Sequence, residues 1–312
     1  MKQATYTFKW WVAAIALTAP IPAFSQSNHD PVSSDGSVVA VEAAPRSASR
    51  PSFGASTITA AALSAEGVNV GAESAARLSR LLTLRDPAET GKEVVIGWDT
   101  REQLYTSLYP ARARVLITFS AGRCSGTMIG PDTVATAGHC VHSGGSSGAW
   151  YPVNSYRIYP GRNGAASPYG VCTARRTHSV IGWTVNGSEE YDYAAIKLNC
   201  TVGNTVGWFG LTTAVPTGFP SGIAGYPGDK PLTQWTSSDI VRAISARQVF
   251  YLNDTIGGQS GSGVWYDRDG PYIIGIHAYG THGTGNHALY NHGTRIVSPV
   301  FNNLISWSTA AP

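Results

Sequence analysis

From residue 94 onward the sequence predicts an all-β protein, either a sandwich or a pair of barrels. Three observations carry that expectation. Short runs rich in Val, Ile, Tyr and Trp recur between turn residues at brief intervals. No helical apolar pattern separates one run from the next, as alternating β and α units would require. The single clear helical pattern stands at the end. There Ser298 can cap, Pro299 suits a first helical turn, and Val300, Phe301, Leu304, Ile305 and Trp307 share one face.

Taken in order, the chain opens with basic residues (Lys2, Lys9) and an apolar run from Trp10 to Phe24, broken by Pro20 and Pro22. With small residues at Ala23 and Ser25, residues 1–25 read as a secretory signal peptide. No other apolar run approaches the ~20 residues of a membrane-spanning helix, so no membrane association is expected. Residues 26–93 contain neither Cys nor Trp, many Ala and Ser, and few large apolar side chains. Such a composition cannot bury a core alone. It is read as a pro-segment with one weak helix between Leu63 and Leu84, the alternative being a linker that is never removed. The strands expected beyond it are Val115–Phe119, Gly126–Gly130, Ser155–Tyr159, Val171–Arg176, Tyr193–Leu198, Gly222–Gly225, Gln248–Leu252, Gly263–Tyr266 and Tyr272–His277. Asp267-Arg268-Asp269-Gly270 reads as the hairpin turn between the last two.

Charged residues make up 13% of the chain and the net charge is +3. No Lys/Arg block of the kind that binds a phosphate backbone is present, so nucleic acid is not an expected partner. There is no phosphate-loop pattern, no Cys-x-x-Cys and no His-Glu-x-x-His, so neither a cofactor nor a metal is expected. Export makes the four cysteines disulfide candidates, and four cysteines allow three connectivities.

The stretch Asp254-Thr255-Ile256-Gly257-Gly258-Gln259-Ser260-Gly261-Ser262-Gly263 carries one serine between glycines, inside strand-like surroundings. Glycine permits positive φ and close backbone approach. The run is therefore either a flexible loop or a turn that presents Ser260 as a nucleophile, with the amides of Gly258 and Ser260 aimed at an oxyanion. A serine hydroxyl needs a base within hydrogen-bond reach. Among eight histidines, His139 in Ala135-Thr136-Ala137-Gly138-His139-Cys140 has small neighbours and an adjoining cysteine. Asp192, at the head of the apolar run Tyr193-Ala194-Ala195-Ile196, would be desolvated there and needs a partner. Singly, these are equally a core histidine and a turn aspartate.

The order His139, Asp192, Ser260, each in its marked context, resembles that of chymotrypsin-like serine peptidases. Within them the chain is most similar to bacterial glutamyl endopeptidases. The stretches that carry this are Val94-Val95-Ile96-Gly97, Cys124-Ser125-Gly126-Thr127, Tyr159-Pro160-Gly161-Arg162-Asn163-Gly164, Ile223-Ala224-Gly225-Tyr226-Pro227-Gly228-Asp229-Lys230 and Gly293-Thr294-Arg295-Ile296. The resemblance implies a double β-barrel over 94–312, with barrels at about 94–205 and 206–297 and a C-terminal helix at 298–308. It places the triad in the cleft between the barrels. It also implies a bridge between Cys124 and Cys140, and with it a second between Cys172 and Cys200.

Two departures stand out. Gly263 occupies a place where the family usually has Pro, which is expected to loosen the strand after the nucleophile. Gln259 replaces the aspartate with which animal relatives capture a new N-terminus, so activation by that ion pair is not expected.

For specificity the signals conflict. Asp254 lies where trypsin-like enzymes bind Arg or Lys, whereas the resemblance to glutamyl endopeptidases points to Thr255 and His277. Two carboxylates ~4 Å apart at an effective dielectric of 20 repel by ~4 kcal/mol. Asp254 therefore cannot line a pocket that accepts Glu, and the expectation is Glu, then Asp, before the scissile bond. The rivals are Arg/Lys preference through Asp254 and an inactive binding homologue. Arg295 is read as a surface residue, and His282, His287 and His292 as a solvated loop or a fortuitous metal-binding patch. Glu93 directly precedes Val94, so cleavage after Glu93 is expected, and the resemblance implies that the freed Val94 amine helps to neutralise the substrate carboxylate. The protein is expected to be a secreted monomer, periplasmic or extracellular, acting on proteins or peptides.

Overall fold

The computed structural model describes residues 27–37, 39, 41, 48–54, 64–65, 67–69, 83–84, 94–215 and 217–310. The expected signal peptide, Glu93 and most of the expected helix Leu63–Leu84 lie outside the described residues. No helix among the described residues is long and apolar enough to cross a membrane.

The strands are β1 (Pro31–Ser33), β2 (Ser49–Arg50), β3 (Glu102–Gln103), β4 (Arg114–Phe119), β5 (Gly122–Gly130), β6 (Thr133–Thr136), β7 (Arg157–Pro160), β8 (Cys172–Val180) and β9 (Ala194–Leu198). They continue as β10 (Gly210–Thr212), β11 (Pro220–Gly225), β12 (Trp235–Ile240), β13 (Ala243–Ile244), β14 (Gln248–Tyr251), β15 (Gly263–Asp267), β16 (Pro271–Tyr279) and β17 (Asn291–Arg295). In the first half the order β8-β7-β4-β5-β6-β9 closes into a barrel through antiparallel pairing of β8 with β9. The second half is a barrel-like curved sheet in the order β13-β14-β17-β16-β15-β11-β12-β3.

Alternation along β4 shows how the halves join. Val115, Ile117 and Phe119 point into the first core, while Leu116 packs with Tyr159, Tyr226 and Leu232 on the other face. Successive side chains of a strand point to opposite faces. Burial on both faces explains why this strand reads as a continuous apolar run. The second half has its own core around Ile223, Val249, Tyr251, Val264 and Ile274.

Residues 94–103 do not open the first barrel as expected. β3 pairs with β12, and the Ile96 and Thr100 amides donate to Asp254 of the second half. Strands β12 and β17 went unforeseen because they are mostly polar, and β6 because it is only four residues long with Thr at both ends. The run expected from Ser155 begins at Arg157 instead, after a 3-10 turn over Val153–Ser155. The Asp267–Gly270 turn forms as predicted, with Gly270 N donating to Asp267 Oδ1 at 3.1 Å.

The C-terminal helix runs Ser298–Thr309, with Val297 rather than Ser298 in the capping geometry. Its buried Trp307 stacks on His178 of the first barrel at 5.5 Å, and Asn303 Nδ2 donates to the Tyr193 hydroxyl at 2.7 Å. The described parts of 26–93 borrow the cores of both halves. β1 pairs with β8, β2 pairs with β10, and Phe53 stacks on Trp208.

Candidate active site

Strand pairing places the first two candidates. β6 and β9 are antiparallel, with Thr136 opposite Ala194. The chain leaving β6 and the chain entering β9 therefore emerge side by side. A 3-10 turn over Gly138–Cys140 then carries His139, while Asp192 ends the 3-10 turn Glu189–Tyr191. Asp192 is 0% exposed. Its Oδ1 accepts the His139 backbone N–H at 2.8 Å, and its Oδ2 accepts His139 Nδ1 at 2.7 Å and the Tyr279 hydroxyl. With Nδ1–H donated to the carboxylate, the lone pair of a neutral imidazole lies on Nε2. Cys140 is disulfide-bonded to Cys124 of β5, so the residue after His139 is covalently tied to the barrel. The second disulfide joins Cys172 to Cys200.

The nucleophile loop spans the gap between β14 and β15. Gly258 has φ +105° and Gly261 φ +86°, conformations that L side chains avoid. A methyl at 261 would also lie 2.1 Å from Thr136 Oγ1 and 3.0 Å from Ala137 N, so this loop abuts the segment leading to His139. Gln259 Oε1 accepts the Ile256 amide at 3.0 Å, and Gly261 N–H donates to the His277 carbonyl at 2.7 Å. Ser125 is central here. Its N–H donates to the Ser260 carbonyl and its hydroxyl to the Gly258 carbonyl, both at 2.8 Å. Since Ser125 follows Cys124, one strand anchors both the nucleophile loop and the histidine. The Gly257 carbonyl accepts Gly228 N–H at 2.7 Å, and a trans peptide points the Gly258 N–H the opposite way. Gly263, where a loosened strand is expected, is tied to the first barrel. Its N–H donates to Thr127 Oγ1 of the first barrel at 3.2 Å, a bond that proline could not make.

Below the loop lies Asp254, over which the specificity signals conflict. Asp254 is 1% exposed, and both oxygens are engaged by the segment after Val94. Oδ1 accepts Ile96 N–H at 2.8 Å; Oδ2 accepts Thr100 N–H at 2.8 Å and its hydroxyl at 2.6 Å. Thr255, next along, is fully buried, and its Oγ1 makes no hydrogen bond among the described residues. His277, buried on β16, hydrogen-bonds through Nδ1 to the Tyr251 hydroxyl at 2.7 Å. The Val94 carbonyl accepts Asn291 Nδ2 at 2.8 Å and the Thr255 N–H at 3.4 Å, so Val94 adjoins Thr255. Arg295 is half-buried rather than a surface residue and donates to the Ser245 carbonyl at 3.1 Å.

The histidine-rich loop also departs from expectation. His282 and His287 are partly exposed, but His292 lies on β17 and is 0% exposed, between the rings of Phe250 and Tyr279. Burial pushes the His292 imidazole below its ordinary pKa, and the neighbouring His292 and His282 rings hold Glu189 below its own. Sequence reasoning also passed over Ser125 and Tyr279. Tyr279 had one signal, its position two residues after His277 on the same strand.

The arrangement is equipped for acyl transfer. It combines a serine on a constrained turn with an imidazole oriented by a desolvated carboxylate, on segments that abut through Gly261. Comparison with known proteins points the same way. The chain matches the trypsin family over residues 98–305. It is 41% identical over 227 residues to a glutamyl endopeptidase of Bacillus licheniformis, covering 70% of each chain. It is 39% identical over 227 residues to a protein of Bacillus subtilis named an extracellular metalloprotease, covering 69% of each. Among solved structures it resembles a Glu endopeptidase in complex with MPD, with TM-score 0.61 and 30% identity, over 70% of this chain and 100% of that one.

Proposed function

The chain belongs to the trypsin family of serine peptidases, and on that premise we propose that it is a secreted endopeptidase cutting after Glu and less readily after Asp. In this reading Ser260 Oγ attacks the scissile carbonyl. His139 Nε2 takes the hydroxyl proton and later delivers it to the leaving amine, while Asp192 holds the imidazole and stabilises its protonated form. The amides of Gly258 and Ser260 receive the oxyanion, each contributing ~2.7–4 kcal/mol to the barrier reduction.

The observation that carries the acidic preference is the engagement of Asp254. A carboxylate already satisfied by Ile96 and Thr100 does not offer its charge to Arg or Lys. Thr255 Oγ1 and His277 then donate to the substrate carboxylate, with His277 presenting Nε2 because Nδ1 is engaged by Tyr251. The names of the Bacillus licheniformis relative and of the similar solved structure support the same choice.

Residues 1–25 are removed on export and 26–93 by cleavage after Glu93, by the enzyme itself. The amine freed on Val94, whose carbonyl accepts the Thr255 N–H, adds positive charge to the pocket. The mature enzyme acts as a monomer. N-terminal sequencing of the secreted protein beside Ser260→Ala tests the processing, and a mature start far from Val94 overturns it. Peptides differing only in Glu, Asp, Arg or Lys before the scissile bond test the specificity. Cleavage after Arg that depends on Ser260 would reinstate Asp254 as the pocket floor. Absence of any Ser260-dependent cleavage would favour a binding protein.

A further inference from the structure

We infer that Glu189, His287 and His292 form a binding site for a divalent first-row transition ion of the zinc(II) type, one side chain away from Asp192. One ligand atom from each of the three lies within 4.8 Å of the others. Zinc bonds of ~2.0–2.2 Å in a tetrahedron place neighbouring ligand atoms ~3.3–3.5 Å apart, and His292 Nε2 is already 3.8 Å from Glu189 Oε2. The three therefore close on an ion with small side-chain shifts.

His292 supplies an independent reason. It is 0% exposed; Nδ1 makes no hydrogen bond among the described residues, and Nε2 faces only the Glu189 carboxylate at 3.8 Å, beyond hydrogen-bond length. A buried polar atom without a partner is destabilising and calls for an explanation. An ion at Nε2 provides one, and the rings of Phe250 and Tyr279, each 5.5 Å away, fix the imidazole for it.

The surroundings match those of a metal site. His287 Nε2 lies 2.8 Å from Gln248 Oε1, so Nε2–H donates there and the lone pair is on Nδ1. Such outer partners set the tautomer of ligating histidines. His282 Nε2, 3.1 Å from Glu189 Oε2, steadies the carboxylate. The backbone N–H of His282 donates to the His287 carbonyl at 2.7 Å and closes the loop. Glu189 and His287 are partly exposed, which gives an ion access. Two imidazoles and one carboxylate suit zinc, nickel or copper rather than magnesium or calcium, and three protein ligands leave a position open.

Glu189 precedes Asp192 in the first barrel, whereas His287 and His292 belong to the second half. Tyr279 stacks on His292 and donates to Asp192. An ion here ties the two halves together beside the catalytic aspartate.

The test uses the full chain as Ser260→Ala, which cannot digest itself, titrated with zinc chloride by calorimetry and by thermal unfolding. The expected result is saturable 1:1 binding with a Tm that rises with zinc. In Glu189→Gln and in His287→Gln, both at partly exposed positions, affinity falls by more than ~100-fold and the Tm rise disappears. Gln248→Ala weakens binding by ~10–100-fold. Cobalt(II) gives visible d–d bands with the parent and none with His287→Gln. Absence of saturable binding overturns the proposal. So does binding of unchanged affinity in Glu189→Gln and His287→Gln, which places the ion elsewhere.

Discussion

Asp192 and Asp254 are both buried carboxylates, and each accepts three hydrogen bonds from well-defined donors. Asp192 receives His139 N–H, His139 Nδ1–H and the Tyr279 hydroxyl. Asp254 receives two backbone N–H groups and the Thr100 hydroxyl. Desolvation demands full satisfaction in both places. The difference lies in what the partner can do next. An imidazole can gain and lose a proton near neutral pH, so its carboxylate is tied to chemistry. Backbone amides cannot, so the other carboxylate is tied to architecture and pins residues 96–100 beneath the nucleophile loop. A buried aspartate is thus defined by its donors, not by its own environment.

Substitution should separate the two regions sharply. Asp192→Asn should lower kcat by ~10⁴-fold with the fold retained, because the asparagine amide favours the wrong tautomer of His139. Steady-state kinetics beside far-UV circular dichroism checks this; retention of more than a tenth of the activity would remove Asp192 from the triad. Asp254→Asn should instead lower stability by ~1.5–3 kcal/mol in urea, the scale of one charge-assisted hydrogen bond, and leave Glu preferred over Arg. If a measurable Arg activity vanished with that substitution, Asp254 would be a pocket residue after all.

Beside Asp254, Thr255→Val should reduce kcat/KM for Glu substrates by ~10–100-fold, matching loss of a bond to a charged group, with little change for uncharged substrates. Equal losses on both would mean a packing defect. The smallest effect is expected of Tyr279→Phe, which removes one of three donors to Asp192. A kcat reduction of ~2–10-fold corresponds to a net hydrogen bond of ~0.5–1.5 kcal/mol. A loss on the scale of Asp192→Asn would make Tyr279 essential to holding the aspartate.

The proposed triad was legible because each member sits in a local sequence that its geometry requires. Gly258 and Gly261 must adopt positive φ around Ser260, and Cys140 must follow His139 for its bridge to Cys124. Apolar strands were legible for a similar reason, since two-sided burial leaves a continuous run. β17 was not, because Asn291, His292 and Thr294 are polar residues made compatible with burial by neighbours distant in the chain. The docking of β1 and β2 was equally hidden. A segment too poor in large apolar residues for a core of its own is stable as edge strands on cores built by others.

By itself, then, the sequence determined the all-β class, the Asp267–Gly270 hairpin and the C-terminal helix, and it singled out His139, Asp192 and Ser260 as the proposed triad. These rest on periodicity, turn chemistry and short motifs, which act over a few residues. Only the tertiary structure decided where Asp254 points, that Ser125 binds the nucleophile loop to the strand anchoring His139, and that His292 is buried against Glu189 and His287. Each of those depends on hydrogen bonds or contacts between residues far apart in the chain, whose meeting no local pattern encodes.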